Sequence, residues 1–251
     1  MPQPTNLEQA LRAAVRGEVA FDRLTRGVYA TDASLYQIEP LGVVTPRDGA
    51  DVVAATRVAA EHGVPILPRA GGTSLGGSAV GAALVLDVSR HMNQLRELNV
   101  AERWARVQPG LVRDNLNALL KPTGLMYAPD PATGNRACVG GMIGNNSSGM
   151  RSILYGKTVD QLIAVKVVLP DGRVTWLGEP QQDDEVAAEL RARVMAVVDA
   201  NRDEIAARYP KIMRRVQGYN LDELCGDTPN LAKLICGSEG TLATIIEAKV
   251  N

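Results

Sequence analysis

The clearest pattern lies between residues 42 and 88, where short apolar runs alternate with one helical stretch. Gly42–Thr45 reads as a strand, and Pro46-Arg47-Asp48 supplies a turn and a helix start. From Ala50 to His62, Val52, Val53, Thr56, Ala59 and Ala60 fall at helical spacing, and Gly63 ends the run. Val64–Pro68 and Ala83–Val88 are strand-like, with a glycine-dense stretch from Arg69 to Gly81 between them. The predicted order is strand, helix, strand, loop, strand. Ahead of it, a short polar start from Met1 leads into a helix over Leu7–Ala14. Phe21 to Glu39 then forms a polar, turn-rich lead-in.

From Met92 the spacing changes. Leu95–Asn99 and Trp104–Gln108 read as a hairpin around a charged turn, and Leu111–Leu120 as a helix after Pro109-Gly110. Tyr127 to Arg151 shows no period and reads as a long loop, a length that usually marks function or disorder. Val159–Leu169 and Arg173–Leu177 flank Pro170-Asp171-Gly172 as strand, turn and strand. Asp184 to Arg208 reads as one long helix. Leu231–Cys236 and Thr241–Val250 read as strands around Gly237-Ser238-Glu239-Gly240.

Composition narrows the function classes. With 251 residues, 45% hydrophobic and 22% charged, the chain is of ordinary globular type and long enough for a large core. A formal charge of −1 gives no basic field for nucleic acid, so no nucleic-acid partner is expected, and an anionic ligand must be held by local geometry. Three cysteines without a C-x-x-C pair and only two histidines, His62 and His91, argue against a zinc or iron–sulfur site within this stretch. No metal ligands are assigned. No run approaches 18 apolar residues, so no transmembrane segment is expected. The odd cysteine count favours a reducing, cytoplasmic setting.

Three bends carry the candidate chemistry. The first is Pro68-Arg69-Ala70-Gly71-Gly72-Thr73-Ser74-Leu75-Gly76-Gly77. Glycine reaches positive φ without a steric penalty, so successive N–H groups can converge on one anion, and Thr73 and Ser74 add hydroxyls. Arg69 reads equally well as a structural arginine. The second runs from Pro129-Asp130-Pro131-Ala132-Thr133 to Cys138-Val139-Gly140-Gly141-Met142-Ile143-Gly144-Asn145-Asn146-Ser147-Ser148-Gly149. Its small polar residues suit the lining of a polar ligand. Cys138 reads as a small buried residue rather than a reactive thiol. The third is Cys236-Gly237-Ser238-Glu239-Gly240-Thr241-Leu242. Taken singly, each bend reads equally as a turn or surface loop. No G-x-G-x-x-G opens a helix after a strand, and Tyr155-Gly156-Lys157-Thr158 lacks the first glycine of a P-loop, where Arg151 stands.

Taken together, P-R-A-G-G-T-S, G-G-M-I-G-N-N-S-S-G, Y-G-K-T-V-D, L-P-D-G and G-S-E-G-T-L resemble, in order, the PCMH-type FAD-binding domain of the vanillyl-alcohol-oxidase superfamily. The likeness runs from about Glu39 to Lys249. Thr25 to Ser34 further resembles a branch in which this domain begins a longer chain with a substrate cap and often an iron–sulfur domain. The resemblance implies an α+β fold of two lobes. A small, mostly parallel sheet (about 39–90) precedes a larger mixed or antiparallel one (about 91–251), with residues 1–38 as lead-in. It implies oxidation of a D-2-hydroxy acid such as D-lactate, glycolate or D-2-hydroxyglutarate by hydride transfer to flavin. The alternative is a noncatalytic flavin module that relays electrons within a complex.

By the same resemblance, Ala70, Gly71, Gly72, Thr73 and Ser74 wrap the pyrophosphate, with Arg69 beside them and Gly76 and Gly77 giving room. Pro129, Asp130, Gly141, Asn145, Ser147, Ser148 and Gly149 lie along the flavin and ribityl chain. Glu239, Gly240 and Ile245 approach from the last strand. Thr73 stands where relatives with covalent flavin carry histidine, which implies noncovalent FAD. No catalytic base is assigned, since base and metal ligands come from the cap in those relatives. The chain stops just after the last expected strand, so it is expected to be part of a longer protein or a separate subunit, inactive alone. Membrane contact is expected only through partners.

Overall fold

The computed structural model describes residues 4–251, so the polar start at Met1 lies outside the described residues. In chain order the elements are α1 (Pro4–Ala14), β1 (Glu18–Ala20), α2 (Arg23–Tyr29), β2 (Gly42–Thr45), α3 (Gly49–Glu61), β3 (Ile66–Arg69) and β4 (Leu84–Asp87). They form one sheet in the order β1-β2-β4-β3, parallel except at the β1 edge. β2 and β4 are buried at every position, which is why they read as unbroken apolar runs. Within the expected turn-rich lead-in, Phe21 to Glu39, lies α2, and β1 just precedes it. Leu7, Leu11, Val15 and Val19 pack with Val44, Val52 and Leu86 in this sheet's core.

Two aspartates secure this assembly. Asp48 caps α3 by accepting from the amides of Ala50 and Asp51. Asp51, 2% exposed, in turn accepts from the amides of Arg16 (3.0 Å) and Arg47 (2.9 Å). The start of the chain is therefore fastened to the helix that covers the sheet.

The second sheet uses β5 (Leu95–Asn99), β6 (Trp104–Val107), β7 (Leu162–Val168), β8 (Val174–Leu177) and β9 (Thr244–Val250). Its order is β5-β6-β9-β7-β8, antiparallel throughout. β9 alternates buried and half-buried positions, as a strand with one face on the core should. Its helices are α4 (Arg113–Leu120), α5 (Val139–Asn145), α6 (Ser152–Tyr155), α7 (Glu185–Ala200), α8 (Arg202–Arg208) and α9 (Ala232–Ile235). The α+β architecture, with a small mostly parallel sheet followed by a larger antiparallel one, agrees with the sequence-based expectation.

Three local expectations fail. The long segment from Tyr127 to Arg151 is not wholly loop, because α5 lies within it. Val139, Met142 and Ile143 bury one helical face while the glycines between them mask the period. The single helix over Asp184–Arg208 is two. Asn201 ends α7 with φ −125°, and its side-chain amide donates back to the Val197 carbonyl, the local competition that disfavours asparagine inside helices. Leu231–Cys236 is not a strand but contains α9. Asn230 accepts from the Ala232 amide and donates to the Ile163 carbonyl of β7, fixing a helical turn where a short apolar run looked β-like.

Candidate functional site

The first glycine bend leaves the carboxyl end of β3, and its neighbours in space are the other two bends. A Cβ on Gly71 would collide with the Arg136 carbonyl oxygen, so only glycine lets the first bend lie against the second. The second meets the third through backbone bonds: the Gly237 amide donates to the Ile143 carbonyl and that of Glu239 to Gly144, both at 2.9 Å. The third returns to the first at Gly240, where a Cβ would sit 3.2 Å from the Pro68 ring. Three stretches far apart in the sequence thus close on one another.

They enclose a cavity of about 530 Å³ between the two sheets, a size typical of small-molecule sites. From the first bend, Arg69, Ala70, Gly71, Gly72, Thr73, Ser74 and Gly76 line it. The second contributes Gly141, Asn145, Ser147 and Ser148. From the third and β9 come Glu239, Gly240 and Ile245.

Four expected residues do not line it. Gly77 turns at φ +80° against the Tyr36 ring, where a Cβ would lie 2.6 Å from a ring carbon. Pro129 gives its carbonyl to Arg113 Nε at 3.0 Å. Asp130 accepts from the Arg151 amide and pairs with its guanidinium at 3.5 Å. Gly149 is packed so tightly on Asp130 that any Cβ would strike it. These three hold the long second segment in shape. Pro131, Ala132 and Thr133 line the wall instead, joined by Val216 and Gln217 from the loop after α8. The sequence held no local sign of the last two, since that loop approaches only through the tertiary fold.

The donor set is made of backbone. The amides of Gly72, Thr73 and Ser74 donate to no protein acceptor among the described residues. Gly72 sits at φ +60°, the left-handed conformation that turns such a run toward one side. Arg69 lines the cavity, yet its guanidinium is committed elsewhere. It donates to the carbonyls of Tyr29 and Ala79 (3.0 Å each) and Thr31 (2.8 Å), and lies over the Tyr29 ring. An anion here meets unpartnered amides rather than a free cation, which suits a pyrophosphate that needs several donors at once. Glycines 141 and 144 keep the inner wall open: a Cβ on either would meet nothing closer than 3.7 Å.

Titratable groups at the cavity are few. Cys138 is buried, and desolvation pushes its thiol up to about 11, so it stays protonated and inert at neutral pH. Glu239 is exposed and holds φ +52°, uncommon for a residue with a side chain. His62 meets the Val58 carbonyl through Nδ1 at the end of α3, and His91 lies 3.7 Å from Glu18; neither lines the cavity. Among the described residues no cluster of histidine, cysteine, aspartate or glutamate is arranged to hold a metal, and no helix is long and apolar enough to cross a membrane.

Known proteins are similar to this chain in sequence and in fold. The chain is 40% identical to the D-2-hydroxyglutarate dehydrogenase of Pseudomonas putida over 99% of its own length and 26% of that protein's. It is 31% identical to the glycolate oxidase subunit GlcD of Bacillus subtilis, over 94% of this chain and 43% of the relative. It therefore spans about a quarter to under a half of these relatives. Among solved structures, an alkyldihydroxyacetonephosphate synthase superposes with a TM-score of 0.71 at 22% identity, covering 99% of this chain and 40% of that one. A p-cresol methylhydroxylase gives 0.70 at 16%, covering 100% and 43%. Both establish a common fold. Residues 40–178, more than half of the chain and including the first two glycine bends, match the family described as FAD binding domain, and the protein belongs to that family.

Proposed function

We propose that this chain is the cofactor-holding part of a flavin-dependent dehydrogenase that oxidises a D-2-hydroxy acid. The observation that carries the reading is the closure of three glycine bends around one cavity, in a chain 40% identical along 99% of its length to a D-2-hydroxyglutarate dehydrogenase. FAD fits the residues present. The amides of Gly72, Thr73 and Ser74 would hold its diphosphate, and Gly141, Asn145, Ser147, Ser148, Glu239, Gly240 and Ile245 would flank the ribityl chain and ring. Bound FAD would supply the hydride acceptor. The protein's own part is to orient that group and exclude water around it.

Thr73 has no atom able to form the bond that a histidine makes to flavin, so FAD is held noncovalently and exchanges with solvent. The two lobes, divided near residue 90, act as one FAD-binding unit from residue 39 onward, with residues 1–38 as its N-terminal extension. No cavity side chain is placed as a base. The groups that clamp the acid and take its hydroxyl proton belong to the longer part of the protein that the relatives carry, and electrons pass onward to an iron–sulfur domain or another acceptor. The three cysteines, none of them in a disulfide, fit a reducing, cytoplasmic setting, with any membrane contact made through partners. A noncatalytic electron relay has less support, since the relatives' names are those of enzymes acting on hydroxy acids.

Two measurements test this reading. Apoprotein titrated with FAD should gain protein-bound flavin absorbance. The full-length protein, supplied anaerobically with D-2-hydroxyglutarate, glycolate or D-lactate, should then bleach with one of them. A flavin that stays oxidised with every acid would refute the dehydrogenase assignment and favour the relay.

A further inference from the structure

Asn146 stands between two residues that line the cavity, Asn145 and Ser147, yet is itself wholly buried. Its backbone holds φ +50° and ψ +50°, a left-handed conformation that ends α5 and lets its own amide bond back to the Ile143 and Met142 carbonyls. Stopping the helix there leaves the Ile143 and Gly144 carbonyls to accept from the third bend's Gly237 and Glu239. The side chain reaches the other way. Its Oδ1 accepts from the Val159 amide at 3.0 Å and from the Cys236 thiol at 3.5 Å. Its Nδ2 has no partner among the described residues, and neither does the hydroxyl of fully buried Tyr127.

A glycine would satisfy the left-handed turn at lower cost, since glycine is the residue that most often ends helices this way. An unpartnered buried amide donor is itself destabilising. The turn alone therefore does not account for asparagine. What only a side-chain acceptor supplies is the link from the second bend to Val159 before β7 and to Cys236 at the root of the third bend.

We propose that Asn146 is a positioning residue for flavin binding. It fixes the second glycine bend relative to the third, so that Asn145, Ser147, Ser148, Glu239 and Gly240 face the cofactor in one rigid arrangement. It touches no part of the flavin and acts through these neighbours. The inference rests on the FAD reading of the cavity, which titration of the unaltered protein tests separately.

The experiment compares N146G and N146D with the unaltered full chain, using FAD as the probe. N146G keeps the left-handed backbone and removes the amide. Its FAD dissociation constant should rise about tenfold or more. Its flavin absorption bands should shift toward those of free FAD, a change that loss of the Val159 link by itself would not produce in a protein that still binds flavin in one arrangement. N146D retains the acceptor but buries a carboxyl beside the Cys236 thiol. Asp160, Glu223, Lys157 and Lys233 are the charged groups around that thiol. Burial raises the carboxyl's pKa, so its affinity relative to the original protein should recover as pH falls and the uncharged form accepts as the amide oxygen did.

Unchanged affinity and spectrum in N146G would overturn the role. Should N146G fail to fold, an N146D affinity ratio that stays flat with pH would overturn it instead. Failure of the unaltered protein to bind FAD would refute the cavity reading, a result distinct from either.

Discussion

Gly71 and Gly72 are adjacent, but their missing side chains serve different contacts. At Gly71 a methyl group would strike the Arg136 carbonyl oxygen, which belongs to the backbone and cannot swing aside. Gly71→Ala should therefore push the first bend off the second and weaken FAD binding by about tenfold or more, seen in a fluorescence titration. Sequence reasoning alone would place a Gly72 side chain against a pyrophosphate. In the fold it lies 2.8 Å from Arg69 Nη2 on a backbone at φ +60°. Gly72→Val should thus lower apoprotein stability by about 1–3 kcal/mol before FAD is added, measurable by urea unfolding. Unaltered stability with lost affinity would restore the simpler reading. Cys138 carries a pH prediction. Its thiol is raised from 9.0 to about 11 by burial, so the folded protein keeps a proton that the unfolded chain has lost between those values. Its contribution to stability is complete below pH 9 and disappears as pH climbs to about 11, a loss on the order of 2–3 kcal/mol. Unfolding curves across that window should be less steeply pH-dependent in Cys138→Ala.

At the scale of elements, helix ends and short connections carry most of what the pattern did not reveal. α3 was legible because its apolar face is periodic and Asp48 stands at its start. Asp48→Ala should cost about 1 kcal/mol as a lost cap. Asp51→Ala should cost more, about 2–4 kcal/mol, because the Arg16 and Arg47 amides would lose their buried acceptor. Chemical denaturation of both variants gives the ranking, and equal losses would show that Asp51 does not fasten the chain start. α5 was hidden by three glycines, although Val139, Met142 and Ile143 keep the spacing i, i+3, i+4. α9 was misread because an apolar run of that length fits either helix or strand, and Asn230 decides between them through a carbonyl of β7.

Across the whole molecule, the cavity takes one wall from the first sheet's side and the others from the second's, so a dinucleotide held there as proposed would bridge both. With free FAD at 100 times its dissociation constant, unfolding should gain about 2.7 kcal/mol, a rise on the order of 5–10 °C in calorimetry. Gly71→Ala should lose about half of that shift or more at the same FAD concentration. A midpoint indifferent to FAD would mean that the bends do not grip it. Period and turn chemistry act over a few residues, so the sequence by itself determined α1, α3, α4, the strands β2 to β9 and the glycine-dense bends, while the family resemblance implied the two-part α+β plan. Only the tertiary structure decided that those bends meet, that Arg69 spends its donors on the carbonyls of residues 29, 31 and 79, and that Pro129, Asp130 and Gly149 brace a loop instead of lining the cavity. Such partnerships depend on atoms far apart along the chain. No local pattern encodes which backbone carbonyl a distant side chain will find.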